Sequence, residues 1–103
     1  MAKTIVINNT ERAIFADGKM LIPGTNVLDS FDTEKGDVKA FVDNGELNVK
    51  ESDKMDDKAK EEAVENITSR ETLEKVEKTF PKLDTSKAKK KLDKFDEQLK
   101  KQN

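Results

Sequence analysis

The sequence predicts an α+β fold in which a small N-terminal β-rich module is followed by a charged C-terminal helical segment. All four glycines lie in the first half, where short apolar runs alternate with turn residues. The second half has no glycine, and its apolar residues recur every three or four positions, as they do in amphipathic helices. We therefore expect a β-rich module over residues 1–50 and a helical arm over residues 51–103.

The β-rich module is expected to begin with a strand and a hairpin. The β-branched run TIVIN predicts a strand over residues 3–8. Further on, RAIFADGKMLI places an apolar run on each side of Asp17-Gly18, a pair that favours a type I′ turn because both residues accept positive φ. The expected hairpin strands cover residues 12–16 and 19–22.

A second turn is predicted directly after the hairpin. Pro23 presets φ and Gly24 accepts the positive φ of a type II turn, so the chain should reverse at this pair. The following NVLDSF fits one more short strand, and ELNV fits a last strand at about residues 46–49.

Residues 34–43 fit two structures. In the first, Thr33 caps a short helix, Gly45 ends it, and its apolar stripe consists of Val38, Phe41 and Val42. In the second, Asn44-Gly45 turns a β-hairpin. We favour the helix, because two adjacent apolar residues suit a helical stripe better than an alternating strand.

The second half predicts helices with two interruptions. Thr68 and Glu71 have the spacing of a capping box, which indicates a break near residues 67–69. Pro81 ends the next stripe, and Asp84 or Thr85 can cap the last helix, which places a turn at residues 81–85. This turn is short enough to fold the last two helices into an antiparallel hairpin.

Each predicted helix carries a narrow apolar stripe. The first stripe consists of Met55, Ala59, Ala63, Val64 and Ile67, the second of Leu73, Val76 and Phe80, and the third of Ala88, Leu92, Phe95 and Leu99. The last two stripes must be buried against each other or against a partner, and both options stay open. We expect interaction residues at Leu73, Val76, Phe80, Leu92, Phe95 and Leu99, and a core formed by Phe15, Leu21, Phe31, Phe41 and Leu47.

The composition argues against an enzyme. The chain has no His and no Cys, so the most common general base, the usual soft metal ligands and any thiolate nucleophile are missing. Neighbouring carboxylates such as Asp56 and Asp57 do not face each other on a helix, and serine or threonine has no His to activate it. We expect no catalytic residues, no cofactor and no metal site.

The charge distribution predicts how the chain meets its partners. The net charge is −2, but residues 51–65 carry seven acidic and three basic side chains, whereas residues 82–103 carry eight lysines and four acids. The lysines of 87–101 could contact phosphates, yet Asp93, Asp96 and Glu97 interrupt them and no arginine is present there to read bases. We therefore do not expect nucleic acid as the partner. The chain also lacks an apolar stretch long enough for a signal peptide or a membrane span.

The stretch VINNTERAIFADGKMLIPGTNV resembles the start of small proteins from the structural gene modules of tailed bacteriophages and prophages. In these proteins an Asn-containing first strand is followed by a strand, by the pattern G-x-x-L-x-PG and by another short strand. A segment like VKAFVDNGELNV often follows, so that the resemblance covers residues 4–49.

The resemblance implies a virion component without an active site, such as a capsid decoration protein, a head–tail connector or a tail accessory protein. Its partners would be other virion proteins or further copies of itself, and its location the virion or the cytoplasm of the bacterial host. The alternative function is a soluble regulatory or inhibitory module that binds a host protein.

Overall fold

A computed structural model describes residues 3–101 and has the predicted α+β architecture, with strands first and helices after them. The five strands are β1 (Thr4–Asn8), β2 (Ile14–Ala16), β3 (Lys19–Leu21), β4 (Gly24–Leu28) and β5 (Leu47–Glu51). The four α-helices are α1 (Gly36–Asp43), α2 (Asp57–Glu65), α3 (Arg70–Thr79) and α4 (Ser86–Lys101). A short 3₁₀ turn, Ser52–Lys54, follows β5.

The strands form two sheets. β1 is the centre of a three-stranded antiparallel sheet with the order β4-β1-β5, and β2 pairs with β3 in a separate hairpin. Because side chains alternate along a strand, β1 sends Ile5 and Ile7 to one face of its sheet and Val6 to the other. All three are at most 4% exposed, so β1 is covered on both faces.

Each face of the three-stranded sheet has its own hydrophobic core. On the face of Ile5 and Ile7, the core is completed by apolar residues of α2, α3 and α4. On the face of Val6, the β2–β3 hairpin and α1 cover the sheet with Ile14, Ala16, Leu21 and Val38. The fold therefore has three layers, and the helical half lies against the sheet that the first half builds.

The helical half joins the sheet through backbone contacts as well as apolar ones. Thr25 of β4 donates its N–H to the Asn66 carbonyl at 2.8 Å and its hydroxyl to the Ala63 carbonyl at 2.5 Å. Thr68 donates its hydroxyl to the Pro23 carbonyl at 2.9 Å. Gly24 allows this approach, because a Cβ built on it would lie 2.1 Å from the Asn66 oxygen. Its φ of +87° is the positive value expected at the Pro-Gly pair, but the predicted type II turn does not close. The Thr25 N–H that would donate back to Ile22 donates to Asn66, and Gly24 already begins β4.

Two buried asparagines hold the loops beside the sheet. The Asn8 amide donates to the carbonyls of Arg12 and Leu21, and its oxygen accepts from Thr10. The Asn26 amide donates to three carbonyls, and its oxygen accepts from the Ile22 N–H at 3.0 Å. These side chains replace backbone partners that the irregular segments lack, which allows polar groups to be buried without loss of hydrogen bonds.

Residues 36–43 are helical, so the helix was the better of the two interpretations. Glu46 donates its N–H to the Phe41 carbonyl and Gly45 donates to the Val42 carbonyl, with Gly45 at φ +76°. This pair of hydrogen bonds is the Schellman motif, a common way to end a helix. Asn44-Gly45 therefore ends α1 and does not turn a hairpin.

The prediction that Thr33 caps this helix was wrong. The N-cap position is Lys35, and its side chain makes no capping hydrogen bond. The segment before it is held in a turn, because the Asp32 carboxylate accepts the Glu34 N–H at 2.9 Å and the Asp32 N–H donates to Asp17. Val42, expected in the apolar stripe, is 39% exposed.

The break near residues 67–69 is present, but the predicted cap is displaced by one residue. Ser69 is the N-cap of α3, and its hydroxyl accepts the Thr72 N–H. Thr68 was expected in this role; its hydroxyl instead binds the Pro23 carbonyl. At the second interruption, α4 begins at Ser86, whose N–H donates to the Asp84 carboxylate.

The last two helices form the expected antiparallel hairpin. At one end the Thr85 hydroxyl donates to Glu77, and at the other Arg70 donates to Asp93 and Asp96 at 2.8 and 2.5 Å. The order of these contacts along the two helices shows that they run in opposite directions. Within residues 3–101, no helix is long and apolar enough to cross a membrane.

Candidate functional site

The outer face of the β2–β3 hairpin exposes a pair of large apolar side chains. Phe15 and Met20 lie directly opposite each other across the two strands and are 64% and 63% exposed. Their neighbours Ile14, Ala16 and Leu21 point inward and are buried. The prediction that Phe15 belongs to the core was wrong. The hairpin register puts Phe15 on one face with Met20 and Ile14 on the other with Leu21, and the face of Ile14 and Leu21 is the one that packs into the core.

The other predicted core residues of the first half have mixed positions. Leu21 and Leu47 are buried as expected, whereas Phe31 and Phe41 are half-buried at the border of the same core. The Lys19 ammonium lies 5.9 Å from the centre of the Phe31 ring. Phe31 and Phe41 therefore support the hairpin from the side and contribute less burial than core residues.

The hairpin turn is tied to the rest of the first half by Asp17. Its carboxylate accepts hydrogen bonds from the Lys35 ammonium at 2.7 Å, from the Asp32 N–H at 2.9 Å and from the Lys19 ammonium at 3.1 Å. The hydrogen bond from Lys35 is the main reason why the pKa of Asp17 lies well below its ordinary value, and those from Asp32 and Lys19 add to it.

Asp17 and Gly18 also adopt the backbone conformation that the sequence predicts, with φ values of +51° and +67°. These values suit a type I′ turn. The Asp17 N–H in addition donates to the Asp37 carboxylate at 3.2 Å, so that α1 holds the same turn. The exposed apolar pair is therefore presented on a hairpin whose tip is fixed from several directions.

The six predicted interaction residues of the helices separate into two groups. Leu73, Val76 and Leu92 are at most 5% exposed and belong to the core between the helices and the sheet. Phe80 is half-buried on the same core, and the Lys60 ammonium lies 5.4 Å from the centre of its ring. Phe95 and Leu99 remain at the surface with exposures of 50% and 63%. The apolar stripe of α4 is thus buried at Leu92 and exposed at Phe95 and Leu99.

A surface groove of about 950 Å³ lies between the end of β4 and the end of α3. Four lysines line it, namely Lys3, Lys19, Lys75 and Lys78. Asp29 lies in the same groove and pairs with Lys3, while Lys19 is occupied by Asp17 and by the Ser30 carbonyl. Lys75 lies 3.6 Å from Glu71, so three of the four lysines of this cationic groove have an acidic partner.

Among residues 3–101, no group of three or more acidic side chains is placed to hold a metal ion. The most perturbed carboxyl, Asp17, is engaged by two lysines and a backbone N–H, which leaves it a structural role. What this surface offers chemically is apolar contact area beside charged side chains.

No family model, curated protein or solved structure matches this chain.

Proposed function

We propose that the protein is a non-enzymatic structural component of a bacteriophage or prophage particle, and that it binds another virion subunit through the outer face of its β2–β3 hairpin. The virion setting comes from the sequence resemblance over residues 4–49. The binding face comes from one observation, the exposed cross-strand pair of Phe15 and Met20.

This pair suits protein recognition for a physical reason. Large apolar side chains on a rigid backbone need no ordering of the main chain on binding. The Phe15 ring loses little side-chain freedom, whereas the flexible Met20 side chain gives up part of its burial gain to lost rotamer freedom. Burying the exposed two thirds of Phe15 and Met20 contributes about 1–2 kcal/mol for each side chain, or roughly a 30- to 900-fold change in the dissociation constant for both.

The test combines recovery of partners with a variant of the hairpin. Tagged wild-type protein is used to capture partners from a lysate of the natural source during particle assembly, and purified particles are analysed by mass spectrometry. We expect the protein in the particles, and capsid, portal or tail proteins among the captured partners. The double substitution Phe15→Ser and Met20→Ser should abolish this capture.

The matched control is Val42→Ser, which removes an exposed apolar side chain from α1, outside both proposed binding faces. It should leave the capture of virion proteins unchanged. Absence of the protein from particles would refute the virion assignment, and capture of a single host enzyme or regulator in stoichiometric amount would support the host-binding alternative. Capture that survives the hairpin substitutions would show that another face binds.

A further inference from the structure

The basic residues of α4 are concentrated on one exposed face. Lys87 has Lys90 and Lys91 three and four residues further on, and both are followed by Lys94 at four and three residues. With Phe95 and Gln98 these lysines line a shallow depression of about 410 Å³. We call these four lysines the basic row. Half of the Phe95 ring is exposed beside them.

The acidic residues of α4 lie mostly away from this row. Asp93 and Asp96 are both bound by Arg70 of α3, so their carboxylates point to the neighbouring helix. Glu97 remains exposed, three residues beyond the last lysine of the row. In the sequence, Asp93, Asp96 and Glu97 interrupt the lysines of α4. In the fold, the carboxylates of Asp93 and Asp96 lie on a different side of the helix from the basic row.

A row of acidic residues, opposite in charge to the basic row, lies on α2. Asp57, Glu61 and Glu65 recur every four residues and are all exposed, which places them on one face of the helix. Within residues 3–99, no lysine or arginine nitrogen lies within 4 Å of these carboxylates. We call these three residues the acidic row.

The two rows are carried by helices that pack against each other. α2 contacts α4, and Lys91 donates to the backbone carbonyl of Glu65 at 3.2 Å, so the end of one row meets the middle of the other. A surface with adjacent acidic and basic rows is complementary to a second copy of itself after a two-fold rotation. In that arrangement each basic row faces the partner's acidic row, and the contact forms twice.

We propose that the α2–α4 face is a self-association surface on which two copies of this chain form a two-fold symmetric dimer. The basic and acidic rows set its register, and the exposed Phe95 and Leu99 supply apolar burial where the stripe of α4 leaves its own core. A long polyanion such as nucleic acid fits less well, because the acidic row beside the lysines repels it. This surface is separate from the hairpin face and does not depend on it.

The first test measures the mass of the wild-type protein by sedimentation at increasing concentration and at two ionic strengths. We expect a reversible monomer–dimer equilibrium whose dissociation constant rises about tenfold between roughly 0.05 M and 0.5 M salt, since exposed charges are screened over this range. Phe95→Ser should weaken the dimer at both ionic strengths. A protein that stays monomeric at high concentration and low salt would overturn the proposal.

The second test exchanges the charges of the two rows. One variant carries Lys87→Glu, Lys90→Glu and Lys94→Glu, and the other carries Asp57→Lys, Glu61→Lys and Glu65→Lys. Each variant alone should be monomeric, because its two rows have the same sign. The two variants mixed in equal amounts should form a heterodimer, because each row then faces one of opposite sign.

The control carries Lys39→Glu, Lys50→Glu and Lys82→Glu, which makes the same change in net charge at exposed lysines outside the row. It should dimerise like the wild type, and circular dichroism checks that every variant is folded. If the mixture stays monomeric, or if the control loses dimerisation as completely as the row variants, the proposed face is wrong.

Binding of an oligonucleotide to the wild type at low salt without any dimer would likewise overturn the proposal. The hairpin variant of Phe15 and Met20 should dimerise normally, which distinguishes this inference from the proposed function.

Discussion

Gly24 lies at the closest contact between the sheet and the helices, and replacing it with alanine is the sharpest test of this packing. The added Cβ would lie 2.1 Å from the Asn66 oxygen and 2.9 Å from a methyl carbon of Thr68, distances that no folded structure tolerates. The end of α2 would have to move away from β4. That movement weakens the hydrogen bonds that Thr25 donates to Asn66 and Ala63.

Three contributions make up the expected loss of stability. Holding alanine at positive φ costs about 1–2 kcal/mol, and overpacking at the contact costs about 1–3 kcal/mol. Each weakened hydrogen bond adds about 0.5–1.5 kcal/mol. Since the contributions overlap once the helix has moved, we expect a decrease of about 3–5 kcal/mol in the free energy of unfolding, out of a total of about 5–15 kcal/mol for a domain of this size.

The assay is urea unfolding followed by circular dichroism, with thermal unfolding as a second measurement. Gly18→Ala and Gly45→Ala are matched controls, because both glycines have positive φ but have no atom within 4 Å of the added Cβ. Each control should lower the free energy of unfolding by about 1–2 kcal/mol and Tm by about 4–8 °C, whereas Gly24→Ala should lower Tm by about 12–20 °C. If Gly24→Ala costs no more than the two controls, the close approach of α2 to β4 does not contribute to stability.

Three further predictions concern the turn and the helix ends. The pKa of Asp17 is lowered on folding, so its carboxylate stabilises the protein above the unfolded pKa of 3.8 and loses this effect as the pH falls toward the folded pKa. Urea titrations of wild type and Asp17→Asn should therefore differ by a constant amount above about pH 5 and converge below about pH 4; a constant difference down to pH 2 would contradict the lowered pKa. Gly36→Ala, at the open first position of α1, should stabilise the protein by about 0.5–1 kcal/mol in the same assay, and a loss of stability would show that the site has no room for a Cβ. Ser69→Ala should cost about 1 kcal/mol as the loss of a helix cap, and an unchanged midpoint would remove Ser69 from that role.

Features set by neighbouring residues could be predicted from the sequence. The turn at Asp17-Gly18 and the bend at Pro23-Gly24 depend on which residues accept positive φ, and the structure has positive φ at Asp17, Gly18 and Gly24. The division into strands and helices follows from apolar spacing in the same way, and it is also correct. These features do not depend on residues that are distant in the sequence.

Features set by distant residues could not be predicted. Thr68 has the right spacing for a cap, but its hydroxyl is used by Pro23, which is 45 residues away in the sequence. Asp93 and Asp96 interrupt the basic patch in the sequence, but in the fold both carboxylates are bound by Arg70 of α3, away from the basic row. The direction of Phe15 depends on which face of a two-stranded hairpin meets the core, and either face is compatible with the local pattern.

The position of β1 has a consequence for the way the chain is made. This strand leaves the ribosome before every element that it touches, since β4 ends at Leu28, β5 ends at Glu51 and the helices that cover Ile5 and Ile7 come later still. The Ile5 and Ile7 side chains of β1 are therefore made before the helices that bury them, and they stay uncovered until those helices form. A nascent chain with such a segment is vulnerable to aggregation and is a natural substrate for ribosome-associated chaperones.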